Sequence, residues 1–168
     1  MAGAAFVLRA LDRAIMWIIT MAAAMALAVA AVLAFSQVIM RFILASPSTW
    51  SEATAQLLIV WMVHLGVVVT MRSGSLVSVE FLRSLLGNRL QPFVEVVIAI
   101  STLFFLGNLL FFGLQVVGRV QFQNHPALGI SIAWGYAAVP VGAAFSIIAT
   151  TARMIEQLAG GPVREKSL

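Results

Sequence analysis

The sequence predicts an all-α integral membrane protein. It has four transmembrane helices, one short interfacial amphipathic helix between the second and third spans, and both termini on the cytoplasmic side. Three observations carry this. Hydrophobic residues make up 62% of the 168-residue chain and charged ones only 10%, against roughly 25% charged in a soluble domain; with a mean hydropathy of +1.05, most of the surface must be solvated by lipid. Charged residues cut the chain into long apolar blocks. The Lys and Arg residues fall unequally on the connections between those blocks.

The blocks come in order. Between Arg13 and Arg41 lie 27 uncharged residues, between Glu52 and Arg72 lie 19, and between Glu95 and Arg119 lie 23. After the polar stretch QFQNHP a fourth block runs from Ala127 to Ala152. About 20 apolar residues cover the hydrocarbon as a helix, and a helix is needed because lipid offers no partner to open backbone groups. The expected spans are about 14–40, 51–71, 92–118 and 128–153, forming a single membrane domain over 1–168. Pro140 is expected to kink the fourth helix rather than end it. A cleaved signal peptide is disfavoured, since its apolar region is normally about 7–15 residues and the first block is far longer.

With four spans, the connections alternate sides. Arg9, Arg13, Arg72, Arg83, Arg89, Arg153, Arg164 and Lys166 fall on one side, and only Arg41 and Arg119 on the other. That bias places both termini in the cytoplasm and accounts for the net charge of +4 without a polyanionic ligand. No basic run or stripe suggests nucleic acid. The absence of Cys excludes disulfides and thiolate chemistry. Between the second and third spans, SLVSVEFLRSLLGNRLQP sets Val77, Phe81, Leu82, Leu85 and Leu86 at helical spacing, which predicts an interfacial helix over about 77–87. An ordinary structured loop is the alternative.

Candidate chemistry is sparse. Ionisable groups deep in a membrane mark ion or proton pathways, but Glu52, Glu95, Arg41, Arg72, Arg119 and Arg153 all fall at span ends. Only His64 lies near mid-membrane. A bis-histidine haem needs a second His at matching depth, whereas His125 lies in the external loop. An interhelical hydrogen bond is the expectation for His64, and an exposed loop position for His125. Ala22, Ala26, Ala30 and Ala34, and again Ala138, Gly142, Ser146 and Thr150, form small-residue stripes on which helices pack closely. Thr49 and Glu52 fit a capping box for the second helix. There the acid also meets the positive end of the helix dipole, and Trp50 suits the interface. Gln56, Ile59, Val63, Gly66 and Thr70 lie within about 40° of Glu52 at 100° per residue, a face suited to a protein neighbour.

Three stretches carry a resemblance. QVIMRFILASPSTWSEA, WMVHLGVVVTMRSGSLVSVEFL and QFQNHPALGISIAWGYAAVPVG together resemble the small four-span (Q-type) membrane subunit of tripartite ATP-independent periplasmic (TRAP) transporters, from about Leu11 to Arg153. The most specific match is Gln-x-x-Pro-Ala-Leu-Gly, from Gln123 and Pro126 to Gly129, followed by Trp134-x-Tyr136 and Pro140-x-Gly142. Departures are Ala53 where the family often has a second acid, Gln56 for Arg, Leu76 for His and Glu80 for Asp.

The resemblance implies a non-catalytic scaffold subunit, without cofactor or metal, of a sodium-driven importer of carboxylate-type organic anions in the bacterial inner membrane. Its partners would be a large membrane subunit and a periplasmic substrate-binding protein. Arg41, Trp50, Glu52, Gln56, Gly66, Arg72, Gln123, Pro126 and Trp134 are the expected partner contacts; Phe81, Leu82 and Leu85 remain the candidate residues of the interfacial helix read from spacing. A membrane anchor of a redox enzyme and a small self-sufficient exporter are the competing readings.

Overall fold

A computed structural model describes residues 2–44, 48–73 and 91–158. The interfacial segment 77–87, with Phe81, Leu82 and Leu85, lies outside the described residues. Five helices are described: α1 (Ala2–Phe42), α2 (Thr49–Ser73), α3 (Gln91–Val120), a one-turn α4 (Ala133–Tyr136) and α5 (Ala138–Leu158). Four stretches are long and apolar enough to cross a membrane: Asp12–Phe42, Thr49–Ser73, Val96–Val120 and Ala133–Ile155. Even the shortest would reach roughly 35 Å at 1.5 Å per residue, beyond the roughly 30 Å of hydrocarbon.

The fourth span starts later than the sequence suggests. Residues 128–132 read as apolar helix, yet they form part of a hairpin loop whose Gly129 has φ +65°. The helix is interrupted at Ala137, three residues before Pro140, and continues through the proline to Leu158. Ala137 keeps right-handed helical angles and separates α4 from α5, while its amide reaches the Ala133 carbonyl at 2.8 Å and its carbonyl accepts from Val141 N at 3.1 Å. Pro140 has no N–H to offer the Tyr136 carbonyl, so the ladder misses one rung within that turn.

The long helices pack in the order α1–α2–α5–α3, an open row rather than a closed bundle. α1 runs antiparallel to α2, with Asp12 meeting Arg72 and Ile19 meeting Val68 at the same end. α2 and α5 run parallel: Leu57 packs near Gly135, His64 against Gly142, and Val68 joins Ala149. α3 returns antiparallel to α5, with Gly113 against Pro140. About a third of the α5 span is buried, against 11% or less for the others, so α5 is the hub.

This order explains the two small-residue stripes. Steps of four drift 40° each on a helix of 3.6 residues per turn, so a four-member stripe fans over 120°. On α5, flanked by α2 and α3, Ala138, Gly142 and Ser146 are buried and Thr150 half-buried. On α1, which packs mainly on α2, only Ala26 and Ala30 of the stripe turn inward, and Ala22 and Ala34 are exposed. The true contact line of α1 is Met16, Ile19, Ala23, Ala26, Ala30 and Leu33, a 3–4 alternation that holds one direction.

Candidate functional site

Among the described residues, no group of three or more His, Asp or Glu side chains is arranged to hold a metal ion. His64 places Nδ1 2.8 Å from the Val60 carbonyl. A carbonyl only accepts, so Nδ1 carries the proton and the bond stays within α2, not between helices as expected. The close helix approach lies behind it: a Cβ added at Gly142 would sit 2.8 Å from His64 Cβ and 3.2 Å from its carbonyl oxygen.

The most built surface lies at the end of the row formed by residues 121–132 and the start of α2. His125 O accepts from Leu128 N at 3.2 Å and from Gly129 N at 2.9 Å, and His125 N donates to Ile130 O at 2.8 Å. Pro126 occupies the second turn position, where its fixed φ is an advantage. Gly129 follows in the left-handed conformation that a side chain would strain. Ile132 N donates to Gln123 O at 2.9 Å, and Ser131 Oγ donates to Gln121 O at 2.8 Å while accepting from Ala133 N at 3.2 Å. The motif Gln-x-x-Pro-Ala-Leu-Gly thus writes a hairpin closed by its own hydrogen bonds. His125 is half-buried, and its Nδ1 accepts from Ala127 N at 3.3 Å, so it is a turn-builder rather than a plain exposed loop residue.

Trp61 fastens α2 to this unit, its Nε1–H donating to the Trp134 carbonyl at 3.1 Å. Between them opens a cavity of about 330 Å³ bounded by Gln56, Leu57 and Val60 of α2 and by His125, Leu128 and Tyr136. It is mostly apolar, with Gln56, His125, Ser131 and Tyr136 as its polar side chains. Such a depression accepts an apolar side chain or chain end and offers hydrogen bonds at its edge; it holds no arrangement for bond-making chemistry.

The expected contact residues are distributed unevenly. Arg41, Trp50, Glu52, Gln56, Gln123, Pro126 and Trp134 are all exposed and all belong to this end. The Arg41 guanidinium lies 5.9 Å from the ring centroid of Phe42. Gly66 sits lower on α2, half-buried, with nothing within 4 Å of where a Cβ would be. Arg72 lies at the opposite end and is engaged inside the chain: its Nη2 is 2.8 Å from Asp12 Oδ2, with Nε 3.2 Å from both carboxylate oxygens.

The capping box does not form. The helix begins at Thr49 itself, one residue too early for Thr49 to be its cap. Among the described residues neither the Thr49 hydroxyl nor the Glu52 carboxylate has a hydrogen-bond partner. Ser51 Oγ instead donates to the Ser48 carbonyl at 3.0 Å. Glu52 still lies in the first turn, where the helix dipole favours an acid. Asp12 was the residue missed by pattern reading. It is the only Asp in the chain, one span away from an Arg on the same side, and pairing span-end charges by side would have found it.

The sequence pattern of the family described as "Tripartite ATP-independent periplasmic transporters, DctQ component" matches residues 30–160. The chain is 31% identical over 107 residues to the sialic acid TRAP transporter small permease protein SiaQ of Vibrio cholerae serotype O1 (strain ATCC 39315 / El Tor Inaba N16961), covering 64% of this chain and 62% of that protein. It is 29% identical over 106 residues to the sialic acid TRAP transporter permease protein SiaT of Haemophilus influenzae (strain 86-028NP), covering 63% of this chain and 17% of that one. The matches therefore span less than two thirds of either relative.

Proposed function

The chain belongs to the DctQ component family of tripartite ATP-independent periplasmic transporters, and from that membership we propose that it is the small, non-catalytic scaffold subunit of a sodium-driven importer of carboxylate-type organic anions. The family match over residues 30–160 carries this reading. A large membrane subunit moves substrate and sodium, a periplasmic protein captures the substrate, and this chain braces the large subunit. Two relatives are named for sialic acid, a sugar acid whose carboxylate falls in the same substrate class.

Several features support a bracing role. The charged groups of the spans stand at their ends, which leaves the middle without the ionised side chains that coupling to an ion gradient uses. The Haemophilus relative carries the matched stretch as 17% of a longer permease chain, which tethers it to a much larger neighbour. With eight Lys/Arg on one side and two on the other, the termini face the cytoplasm and the His125 loop faces the periplasm. There Trp50, Glu52, Gln56 and Trp134 stand exposed toward the large subunit or the substrate-loaded binding protein.

Co-expression with the cognate large TRAP subunit tests this: the two should purify as a stable complex that imports an organic acid with sodium. A chain that purifies alone and transports solute in liposomes refutes it. Glu52 has no hydrogen-bond partner of its own among the described residues, so Glu52→Ala should cost the isolated chain no more than the roughly 0.3–1 kcal/mol of its helix-dipole contact while lowering complex yield or uptake. Normal assembly and transport by that variant would remove Glu52 from the interface.

A further inference from the structure

The last helix of the row, α3, has a side that the described residues do not cover. It packs on α5 and α4 through Leu106 and Gly113, both buried. Directly opposite, Ser101, Phe104, Asn108, Phe111, Gln115 and Gly118 are all exposed. Their spacing alternates three and four, so they form one straight seam of period 3.5, the signature of a helix that crosses another at a shallow left-handed angle.

The seam's chemistry is wrong for lipid. Asn108 is the central residue of the apolar stretch Val96–Val120, at the depth where hydrocarbon is driest. Its Nδ2 donates to the Phe104 carbonyl at 2.8 Å, which leaves the side-chain oxygen open. Gln115 lies two turns further along, and among the described residues neither it nor Ser101 has a hydrogen-bond partner. An amide without partners in an apolar medium is costly, and polar side chains at such depths usually bond across to another helix. The opposite end of the row behaves differently. Between residues 14 and 40 of α1, Thr20 is the one exposed hydroxyl- or amide-bearing side chain, and it is satisfied by the Met16 carbonyl at 2.8 Å. One end of the row is therefore suited to lipid and the other is not.

We propose that this seam of α3 docks a transmembrane helix of the large permease subunit, with Asn108 and Gln115 hydrogen-bonding to polar side chains at matching depths. The proposal rests on the function argued above and names the face that serves it. The large subunit is favoured over a second copy because the Haemophilus relative carries this unit joined to a chain of which it is 17%, so its constant neighbour there is the rest of that permease.

Two measurements test it on the full chain. The double variant Asn108→Leu/Gln115→Leu should be as stable alone as the parent, or more so, since it removes amides from hydrocarbon. It should nevertheless bind the cognate large subunit about tenfold more weakly. A variant that binds normally overturns the proposal. The chain has no Cys, so Phe111→Cys carrying a benzophenone maleimide reports what covers the seam, with Met25→Cys on α1 as the control. An adduct with the large subunit from Phe111→Cys alone supports the proposal. Adducts only with lipid or with a second copy overturn it while leaving the subunit function standing. If the unmodified chain fails to bind the large subunit at all, both fall together.

Discussion

Gly142 is where the fold should be most sensitive to a single methyl group. Gly142→Ala would set a Cβ 2.8 Å from His64 Cβ and 3.2 Å from its carbonyl oxygen, against the roughly 3.5–4.0 Å at which carbon atoms attract. The carbonyl belongs to the α2 backbone and cannot rotate aside, so α2 and α5 must part by about 1 Å. Overpacking of this kind costs about 1–3 kcal/mol, offset by the roughly 0.5–1 kcal/mol that Ala gains over Gly inside a helix. A net loss of about 1–2 kcal/mol is expected. Gly66→Ala is the internal control: with nothing within 4 Å of its Cβ, it should keep the propensity gain of about 0.5–1 kcal/mol. Reversible unfolding in mixed detergent micelles should therefore separate the two variants by about 2 kcal/mol, roughly thirtyfold in the folded ratio. Equal stabilities, or a more stable Gly142→Ala, would refute the close approach of α2 and α5.

The Asp12–Arg72 pair, with side chains 37% and 17% exposed, should show a coupling of about 0.5–1 kcal/mol in a double-mutant cycle with Asp12→Asn and Arg72→Gln; a coupling of zero would make the contact incidental. Gly129→Val should loosen the 121–132 hairpin, since a β-branched residue is strained at φ +65° by about 1–2 kcal/mol, whereas Gly129→Asn should cost less. Limited proteolysis of the loop reads this, and equal cleavage of the two variants would count against it.

Span number could be read from the charge-free blocks because lipid enforces it; the packing order could not. In water, the apolar side of a helix points to the core. In a membrane, Ile18 facing lipid and Ile19 facing Val68 carry the same hydropathy, so periodicity does not separate them. Small residues carried part of the information. The α5 stripe was readable because that helix is flanked on two sides; the α1 stripe misled because four-residue steps drift off a single neighbour. The fourth span starts later than hydropathy suggests because the apolar letters Ala127 to Ile132 conceal turn chemistry that Pro126 and Gly129 spell out. The cap was misjudged by one residue, since Thr-x-x-Glu is satisfied by a pattern that the helix overran at Thr49. Most candidate contact residues still converge on one exposed end, because span-end residues near the same loops share a side whatever the helix order.

An open row has a consequence for partnership. Lipid is as apolar as Leu, so no hydrophobic force closes the row into a bundle, and α1 can leave most of its surface in contact with acyl chains at little cost. What lipid cannot accept is unpaired polarity. Gln37, Ser146 and Thr150 carry unpartnered polar atoms buried between the chain's own helices; of the exposed or charged side chains that break the apolar rule, three groups are informative. At the Asp12 end the chain satisfies itself through the ion pair to Arg72. At the His125 end Glu52 and Gln56 stand exposed beside a structured loop, where water or protein serves equally well. Along α3, Asn108 stands at mid-span with its side-chain oxygen open, at a depth where hydrocarbon excludes water, and no hydrogen bond from the described residues reaches that oxygen. Of the three, only the last requires a partner inside the membrane, which makes α3 rather than the opening helix α1 the edge at which the large subunit should be sought.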